Sequence, residues 1–229
     1  WLAGSLGVDV VVRRQLRMCI RDRRPDGQFL QFYPNETRLM FAPTGRSLQQ
    51  GSAYLSAYYV FFGFAAYGIT DRVTLGAGTW LIPQAFGEVV FVAPKVQVLD
   101  GPNSTASLGV FAGFAGGDGA GVAYGVYTRG QPDGAVTVGL GFGFANGEVA
   151  ADPVLVLGGE RRLSRRTKRV GESYLLPTVG GGAVILAGIR FFSSGLAADL
   201  GLIGYAGDLG IDEGIPAIPW VSFAYNFGR

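Results

Sequence analysis

Histidine, the side chain that most often acts as a general base near neutral pH, occurs nowhere in the 229-residue sequence. Its absence removes Ser-His-Asp triads and histidine-ligated metal sites from the possible chemistry. The single cysteine, Cys19, cannot form a disulfide framework. We therefore predict that the protein is not an enzyme and that it holds no metal and no cofactor.

The charged pair with the most specific spacing is Arg190 and Asp199. Residues 183–193 and 196–205 resemble two strands joined at Ser194-Gly195. A two-residue loop there places Arg190 opposite Asp199 on one face of the sheet, which is the lumen face if the sheet closes into a barrel. Opposite charges that face each other across two strands stabilise a sheet. The alternative is that the pair selects ions in a lumen. Further candidates for an interior polar network are Lys95, Gln97, Glu160 and Glu172.

Six basic residues cluster around one predicted turn: Arg161, Arg162, Arg165, Arg166, Lys168 and Arg169. Such a cluster can bind an anion, in this case a lipid phosphate or a periplasmic partner. The simpler interpretation is a solvated turn, because runs of charge usually stay in water. The sequence alone leaves both interpretations open.

The runs that position these residues alternate between apolar side chains and small or polar ones. In the clearest run, residues 135–144, Val136, Val138 and Leu140 face one way, while Thr137 and three glycines face the other. Lipid-facing residues that alternate with lumen-facing ones are typical of transmembrane β-barrels. This pattern indicates strands that cross a membrane.

Residues 51–70 contain no charged residue and are rich in aromatic side chains, which favour strands. Thr70-Asp71 is a turn signal, and residues 72–81 alternate beyond it. We therefore predict a hairpin in which Ile69 lies opposite Arg72. Its apolar face then comprises Phe62, Phe64, Ala66, Leu75 and Ala77.

Read in this way, the sequence predicts an all-β protein, an antiparallel up-and-down transmembrane β-barrel of about twelve strands, with ten as the alternative. The predicted strands cover residues 37–43, 51–70, 72–81, 88–99, 105–115, 120–128, 135–144, 153–163, 168–177, 183–193, 196–205 and 218–227. Connections after even-numbered strands are short, which predicts that both chain ends are periplasmic. The aromatic-rich last strand predicts recognition by the barrel-assembly machinery.

Composition agrees with strands that meet lipid. Only 16% of the residues are charged, against about 25% in soluble domains, and the mean hydropathy is +0.29. The length fits one all-β domain, which we predict for residues 26–229. Residues 1–25 are predicted to be a non-native or disordered segment, because residues 18–23 resemble translated sequencing-adapter DNA.

The net charge of +2 gives no reason to expect a nucleic-acid partner. Six arginines lie in residues 1–25, and residues 26–229 carry 13 basic and 15 acidic residues. The partners that we expect are instead outer-membrane lipid and the barrel-assembly machinery.

Several short stretches resemble a family of uncharacterised outer-membrane β-barrel proteins from Bacteroidetes-like bacteria. They are residues 37–48, Tyr67-Gly68-Ile69-Thr70-Asp71, Ser164-Arg165-Arg166, Gly188-Ile189-Arg190-Phe191-Phe192 and Gly214-Ile215-Pro216. The resemblance covers about residues 35–227 and implies a single barrel in the bacterial outer membrane. It implies no catalytic or ligand-binding residue.

The function that we predict is that of an outer-membrane β-barrel, either structural or a narrow pore for small solutes. One alternative is a soluble-type β-barrel that binds a hydrophobic ligand, which would require charges outside and apolar residues inside. Another is an outer-membrane enzyme that modifies lipid, which the missing histidine disfavours.

Overall fold

A computed structural model describes residues 33, 35–176, 182–207 and 217–228 of the chain. The described residues form thirteen β-strands: β1 (Ala53–Tyr58), β2 (Phe62–Gly68), β3 (Val73–Trp80), β4 (Val90–Asp100), β5 (Ser104–Ala115), β6 (Asp118–Gln131), β7 (Gly134–Ala145), β8 (Glu148–Val149), β9 (Val154–Arg162), β10 (Thr167–Leu176), β11 (Gly182–Phe192), β12 (Leu196–Ala206) and β13 (Ile218–Phe227). No helix within these ranges is long and apolar enough to cross a membrane. The prediction for residues 1–25 lies outside the described residues.

Twelve of these strands form one closed antiparallel ring. Each strand pairs with its neighbours in the chain, β7 pairs with β9, and β1 pairs with β13 to close the ring. The two-residue strand β8 only folds back onto the end of β7. The prediction of an all-β, up-and-down barrel of about twelve strands is confirmed.

The outer face of the ring is apolar, as the alternation of β7 shows. Val136, Val138 and Leu140 are 62%, 42% and 42% exposed on the outside, whereas Thr137 between them is 1% exposed. A soluble monomer rarely exposes apolar patches larger than a few hundred Å². A continuous apolar belt on a closed ring is the outer surface of a transmembrane barrel.

Two errors in the predicted strand list cancel each other. Residues 37–43, predicted as the first strand, lie inside the ring and form only an isolated bridge between Arg38 and Pro43. The long predicted strand at 51–70 is instead two strands, β1 and β2. They are joined at Tyr59 and Val60, which have φ angles of 51° and 66°. A β-branched residue rarely adopts positive φ, so the sequence carried no turn signal there.

The predicted register of the β2–β3 hairpin is wrong by one residue. The structure pairs Gly68 with Thr74, Ala66 with Gly76 and Phe64 with Gly78. A slip of one residue moves a whole strand face to the other side of the sheet. As a result, Phe62, Phe64 and Ala66 face the lumen and not the lipid, whereas Leu75 and Ala77 face outward.

The connections divide the barrel into two ends. At the end that we call the turn end, residues 69–72, 101–103, 132–133, 163–166 and 193–195 connect the strands. At the opposite end, the loop end, the described connections are residues 59–61, 81–89, 116–117 and 146–153. The first residue of β1 and the last residues of β13 both lie at the turn end.

Candidate functional site in the barrel lumen

The lumen contains part of the chain itself. Residues 35–48, which we call the inner segment, precede β1 and lie inside the ring. Leu39 and Asn35 have no exposed surface, and Met40 and Thr44 are 1% exposed. Leu39 and Met40 pack against ring residues such as Trp220, so the hydrophobic core of the protein surrounds this segment.

The ion pair predicted between Arg190 and Asp199 is present in the lumen. The two residues are direct cross-strand partners on β11 and β12. Arg190 Nε donates to Asp199 Oδ1 at 2.5 Å and Nη2 donates to Oδ2 at 2.9 Å. Ser222 Oγ and Arg38 Nη1 also donate to Oδ2, at 2.7 and 3.2 Å. The carboxylate therefore joins three ring strands to the inner segment.

Arg190 also holds the inner segment directly. Its Nη2 donates to the carbonyl oxygen of Leu39 at 2.5 Å, and its Nη1 donates to the carbonyl oxygens of Asn35 and Arg38 at 3.3 Å. The same Nη1 donates to the hydroxyl of Tyr33. Burial raises the pKa of Tyr33, so its hydroxyl stays neutral. Arg190 is thus bonded to three backbone oxygens of the inner segment, of which only that of Leu39 has a second donor, Arg38 Nη1 at 3.3 Å, among the described hydrogen bonds.

Glu172 and Glu160 contact other parts of the inner segment. The Glu172 carboxylate accepts hydrogen bonds from the backbone N–H groups of Phe41 at 3.0 Å and Ala42 at 3.1 Å. Glu160 accepts hydrogen bonds from Arg46 Nη1 and Lys168 Nζ, both at 2.8 Å. Because the inner segment forms no regular ladder, these carboxylates replace the backbone partners that a strand would have.

Lys95 and Gln97 on β4 contact the inner segment as well. Lys95 Nζ donates to the carbonyl oxygens of Arg46 at 2.6 Å, Thr37 at 3.2 Å and Thr44 at 3.3 Å. Gln97 Oε1 accepts the N–H of Ser47 at 2.9 Å. All six residues predicted for an interior polar network therefore lie in the lumen and contact the inner segment. The sequence reasoning did not anticipate this segment.

The basic cluster predicted around the 163–166 turn is divided by the structure. Lys168 does not belong to it, because this side chain is fully buried and forms an ion pair with Glu160 inside the barrel. Arg162 donates to Asp133 Oδ1 at 2.9 Å across the turn end. Arg161 and Arg169 are direct cross-strand partners that point outward. Arg165 and Arg166 are exposed in the turn itself, and binding of an anion there stays a prediction.

Beyond the inner segment the lumen contains an aromatic cavity of about 200 Å³. Its wall includes side chains from β1, β2, β5 and β6: Tyr54, Tyr58, Phe62, Phe64, Phe111 and Tyr124. Arg38 and Phe41 of the inner segment and Lys95 complete the side nearest the turn end. The sequence analysis missed this cavity, because its register placed Phe62 and Phe64 on the lipid side.

A second cavity, of about 460 Å³, lies toward the loop end. Phe111 and Val122 line both cavities. The loop-end residues Ala115, Asp118 and Asn146 contribute to its wall. Within the described part of the chain, no group of three or more histidine, cysteine, aspartate or glutamate side chains is placed to hold a metal ion.

Comparisons with known proteins give no family and no curated relative. No family model matches the chain, and no curated protein matches it. The resemblance to one uncharacterised family therefore stays a prediction.

Solved structures do match. A structure of "KdgM porin" and one of "KdgM porin in complex with disordered oligogalacturonate" each give a TM-score of 0.57 at 6% sequence identity, and each match covers 77% of this chain and 98% of theirs. OmpT, an outer membrane protein of Vibrio cholerae in its trimer form, gives a TM-score of 0.39 at 11% identity, over 72% of this chain and 64% of its own. In architecture, this chain is an outer-membrane-type β-barrel similar to the KdgM porin.

Proposed function

We propose that the protein is an outer-membrane β-barrel that gives small solutes a narrow passage, restricted at the turn end by its own inner segment. The observation that carries this proposal is the combination of an apolar outer belt with a polar lumen that is only partly filled. A purely structural barrel does not require two adjoining cavities in its interior.

The arrangement of the lumen supports a restricted passage. The cavities of about 460 and 200 Å³ adjoin at Phe111 and Val122, and in this proposal a solute that enters at the loop end passes these two side chains to reach the centre of the barrel. There it meets Arg38 and Phe41 of the inner segment. Passage to the turn end depends on how much room this segment leaves.

The location and orientation are part of the same proposal. Outer-membrane barrels have short periplasmic turns, so we place the turn end in the periplasm and the loop end outside the cell. Phe223, Tyr225 and Phe227 point outward from β13 and are 43%, 57% and 43% exposed. They support recognition of this strand by the barrel-assembly machinery, and the belt contacts outer-membrane lipid.

The alternative of a soluble barrel requires a polar outer face. The described outer face carries exposed leucine, valine and phenylalanine side chains on every side of the ring. In water this belt would cause association. The aromatic cavity within the lumen does not favour the soluble alternative, because the outside of the ring is also apolar.

The test compares single-channel currents in planar bilayers for three refolded proteins. They are the full chain, a variant that lacks residues 1–48, and a control variant that lacks residues 1–32 and keeps the inner segment. Each must first show the heat-modifiable gel migration of a folded barrel. We expect a small current from the full chain and the control, and a larger conductance without the inner segment.

Two results would contradict the proposal. Absence of current from all three folded barrels would indicate a structural role. Equal conductance with and without the inner segment would show that this segment does not restrict the passage.

A further inference from the structure

Phe41 of the inner segment exposes apolar surface inside the barrel. It lies within the closed ring, yet 37% of the residue is exposed. Since this side chain lines the aromatic cavity, its exposed surface borders the cavity and not lipid. Apolar surface in contact with water is unfavourable, and an apolar molecule in the cavity would cover it.

The rings of the cavity wall contact one another. Phe41 meets Tyr58 and Phe111 edge to face, with ring centroids 5.5 and 5.7 Å apart. The Phe64 ring lies 6.5 Å from that of Phe111 and 6.3 Å from that of Tyr54. These contacts form the shape of the cavity before any ligand binds. An apolar protein cavity of about 150 Å³ holds benzene, so a cavity of about 200 Å³ has room for one substituted ring.

Two cationic side chains line the same cavity, but their donors are already used or enclosed. Lys95 Nζ has three protons and donates to three carbonyl oxygens of the inner segment. Arg38 Nη1 is bonded to Met40 O and Asp199 Oδ2, and its Nε and Nη2 are enclosed by protein. Among the described residues, no carboxylate lines the cavity. A charged ligand would therefore lose its water there without gaining a direct ion pair, which is costly.

Three tyrosine hydroxyl groups, by contrast, are open to the cavity. Tyr54 and Tyr58 are only 7% and 6% exposed, and Tyr124 lies on the same wall. Their hydroxyl oxygens form no hydrogen bond with any described residue, and they are not among the polar atoms that the protein encloses. Because these side chains point into the lumen, the accessible surface of each hydroxyl faces the cavity. Each hydroxyl can both donate and accept a hydrogen bond.

We propose that the aromatic cavity binds a small neutral phenol, with its ring against Phe41 and its hydroxyl group hydrogen-bonded to one or more of the three tyrosine hydroxyls. The inference rests on the proposed function, because it names a class of solute that the passage admits. A phenol with a pKa near that of tyrosine, about 10, is neutral at pH 7. It therefore satisfies the hydroxyls without bringing a charge into the cavity.

The test follows the binding of three probes to the refolded full chain by fluorine NMR. 4-Fluorophenol carries the ring and the hydroxyl group, 4-fluorotoluene carries only the ring, and 4-fluorobenzoate carries a charge in place of the hydroxyl. We expect saturable binding of 4-fluorophenol and 4-fluorotoluene. 4-Fluorobenzoate should bind at least about tenfold more weakly than 4-fluorophenol, because its carboxylate has no direct partner.

A variant that combines Tyr54→Phe, Tyr58→Phe and Tyr124→Phe removes the hydroxyls and keeps the rings. Since these hydroxyls bond to no described residue, the variant should fold like the parent. We expect it to bind 4-fluorophenol about fivefold or more weakly and 4-fluorotoluene with unchanged affinity. Tyr127→Phe, which removes an exposed hydroxyl from the outer face of β6, is the matched control and should bind both probes like the parent.

A second variant assigns the binding to the cavity. Ala93 lines the cavity, so Ala93→Phe fills part of it and should weaken the binding of 4-fluorophenol and 4-fluorotoluene alike by about tenfold or more. Ala123→Phe adds the same side chain to the exposed outer face and should bind both probes like the parent. Partition of the probes into detergent is the same for both variants, so their comparison separates it from binding.

The outcomes separate this inference from the proposed function. A heat-modifiable barrel that conducts ions but shows no saturable binding of 4-fluorophenol would overturn the ligand and leave the pore. Equal affinity for 4-fluorophenol in the parent and the triple tyrosine variant would also overturn it, as would equal affinities for 4-fluorobenzoate and 4-fluorophenol. Binding of 4-fluorophenol by a barrel that passes no current would support the site and overturn the pore. A chain that forms no heat-modifiable barrel would remove the proposed function and this inference together.

Discussion

Replacing Arg190 with alanine should weaken the barrel more than any change on its outer surface. Arg190 is fully buried and links Asp199 on the next strand to the backbone of the inner segment. Its removal leaves a buried carboxylate with fewer donors and leaves carbonyl oxygens of the inner segment without theirs. We expect loss of stability of the ring and loosening of the inner segment in the same variant.

The size of the effect follows from the contacts that remain. Removing one partner of a buried ion pair costs about 3–5 kcal/mol. Asp199 keeps Ser222 Oγ at 2.7 Å and Arg38 Nη1 at 3.2 Å, which places this loss near the lower limit. The Leu39 carbonyl loses its donor at 2.5 Å and keeps only Arg38 Nη1 at 3.3 Å, and the loss of this hydrogen bond adds about 1 kcal/mol. We therefore expect Arg190→Ala to reduce the free energy of unfolding by about 4 kcal/mol.

The assay is urea unfolding of the barrel refolded into phospholipid vesicles, followed by tryptophan fluorescence. Arg169→Ala, on the outside of the next strand, is the matched control and should change stability by no more than about 0.5 kcal/mol. The double variant Arg190→Ala, Asp199→Ala should lose less than the sum of the two single variants, because the two residues interact directly. Equal stability of Arg190→Ala and Arg169→Ala would refute this reasoning.

Three further changes test other parts of the structure. Val138→Arg places a charge on the lipid side of β7 and should reduce the free energy of folding into vesicles by about 2–4 kcal/mol; unchanged folding would contradict the lipid-facing assignment. Gly45→Ala builds a Cβ 2.3 Å from the backbone oxygen of Thr105, which is too close for van der Waals contact. The clash should displace the inner segment, so that added protease cleaves this segment while the strands stay resistant. The double variant Arg161→Gln, Arg169→Gln should fold more slowly than the parent into vesicles that contain anionic lipid. The difference should vanish in 1 M salt, because the Debye length there is only about 3 Å. Equal folding rates of variant and parent at low salt would favour the solvated-turn interpretation.

Alternation of side chains predicted the ring because every strand obeys the same physical requirement. A membrane-spanning strand must place apolar groups toward lipid, and β7 does so at Val136, Val138 and Leu140. The same requirement placed Arg190 and Asp199 on the inside. The sequence therefore determined which residues face inward wherever the strand carried a strict alternation.

The inner segment was not predicted because its own sequence also resembles a strand, with the apolar run Leu39-Met40-Phe41-Ala42 followed by the turn residues Thr44-Gly45. In the structure, the N–H groups of Phe41 and Ala42 are bonded to the ring residue Glu172, and that of Leu39 is bonded to the Ala42 carbonyl oxygen within the segment. A signal was nevertheless present. Glu172 occupies an inward position, and a buried carboxylate requires more donors than the one ring hydroxyl, that of Tyr174, bonded to it among the described residues.

The aromatic cavity depended on a register that the sequence did not determine. The β2–β3 turn spans residues 70–72, with the Ile69 N–H bonded to the Val73 carbonyl oxygen, so it holds one residue more than a two-residue turn at Thr70-Asp71. Both faces of residues 61–68 are apolar or small, so no charged side chain marks which of them faces lipid. A shift of one residue then exchanged the wall of the cavity for the outer surface.

Filling the ring with its own chain has a consequence for how the protein folds. The inner segment is bonded to β3, β4, β5 and β6 on one side and to β9, β10, β11 and β12 on the other. Entry after the seam between β1 and β13 has formed would force charged side chains through a narrow opening. We therefore expect the inner segment to bind the strands while that seam is open. The sheet then closes around a segment that is already in place. Its non-local contacts make this a slow folding topology.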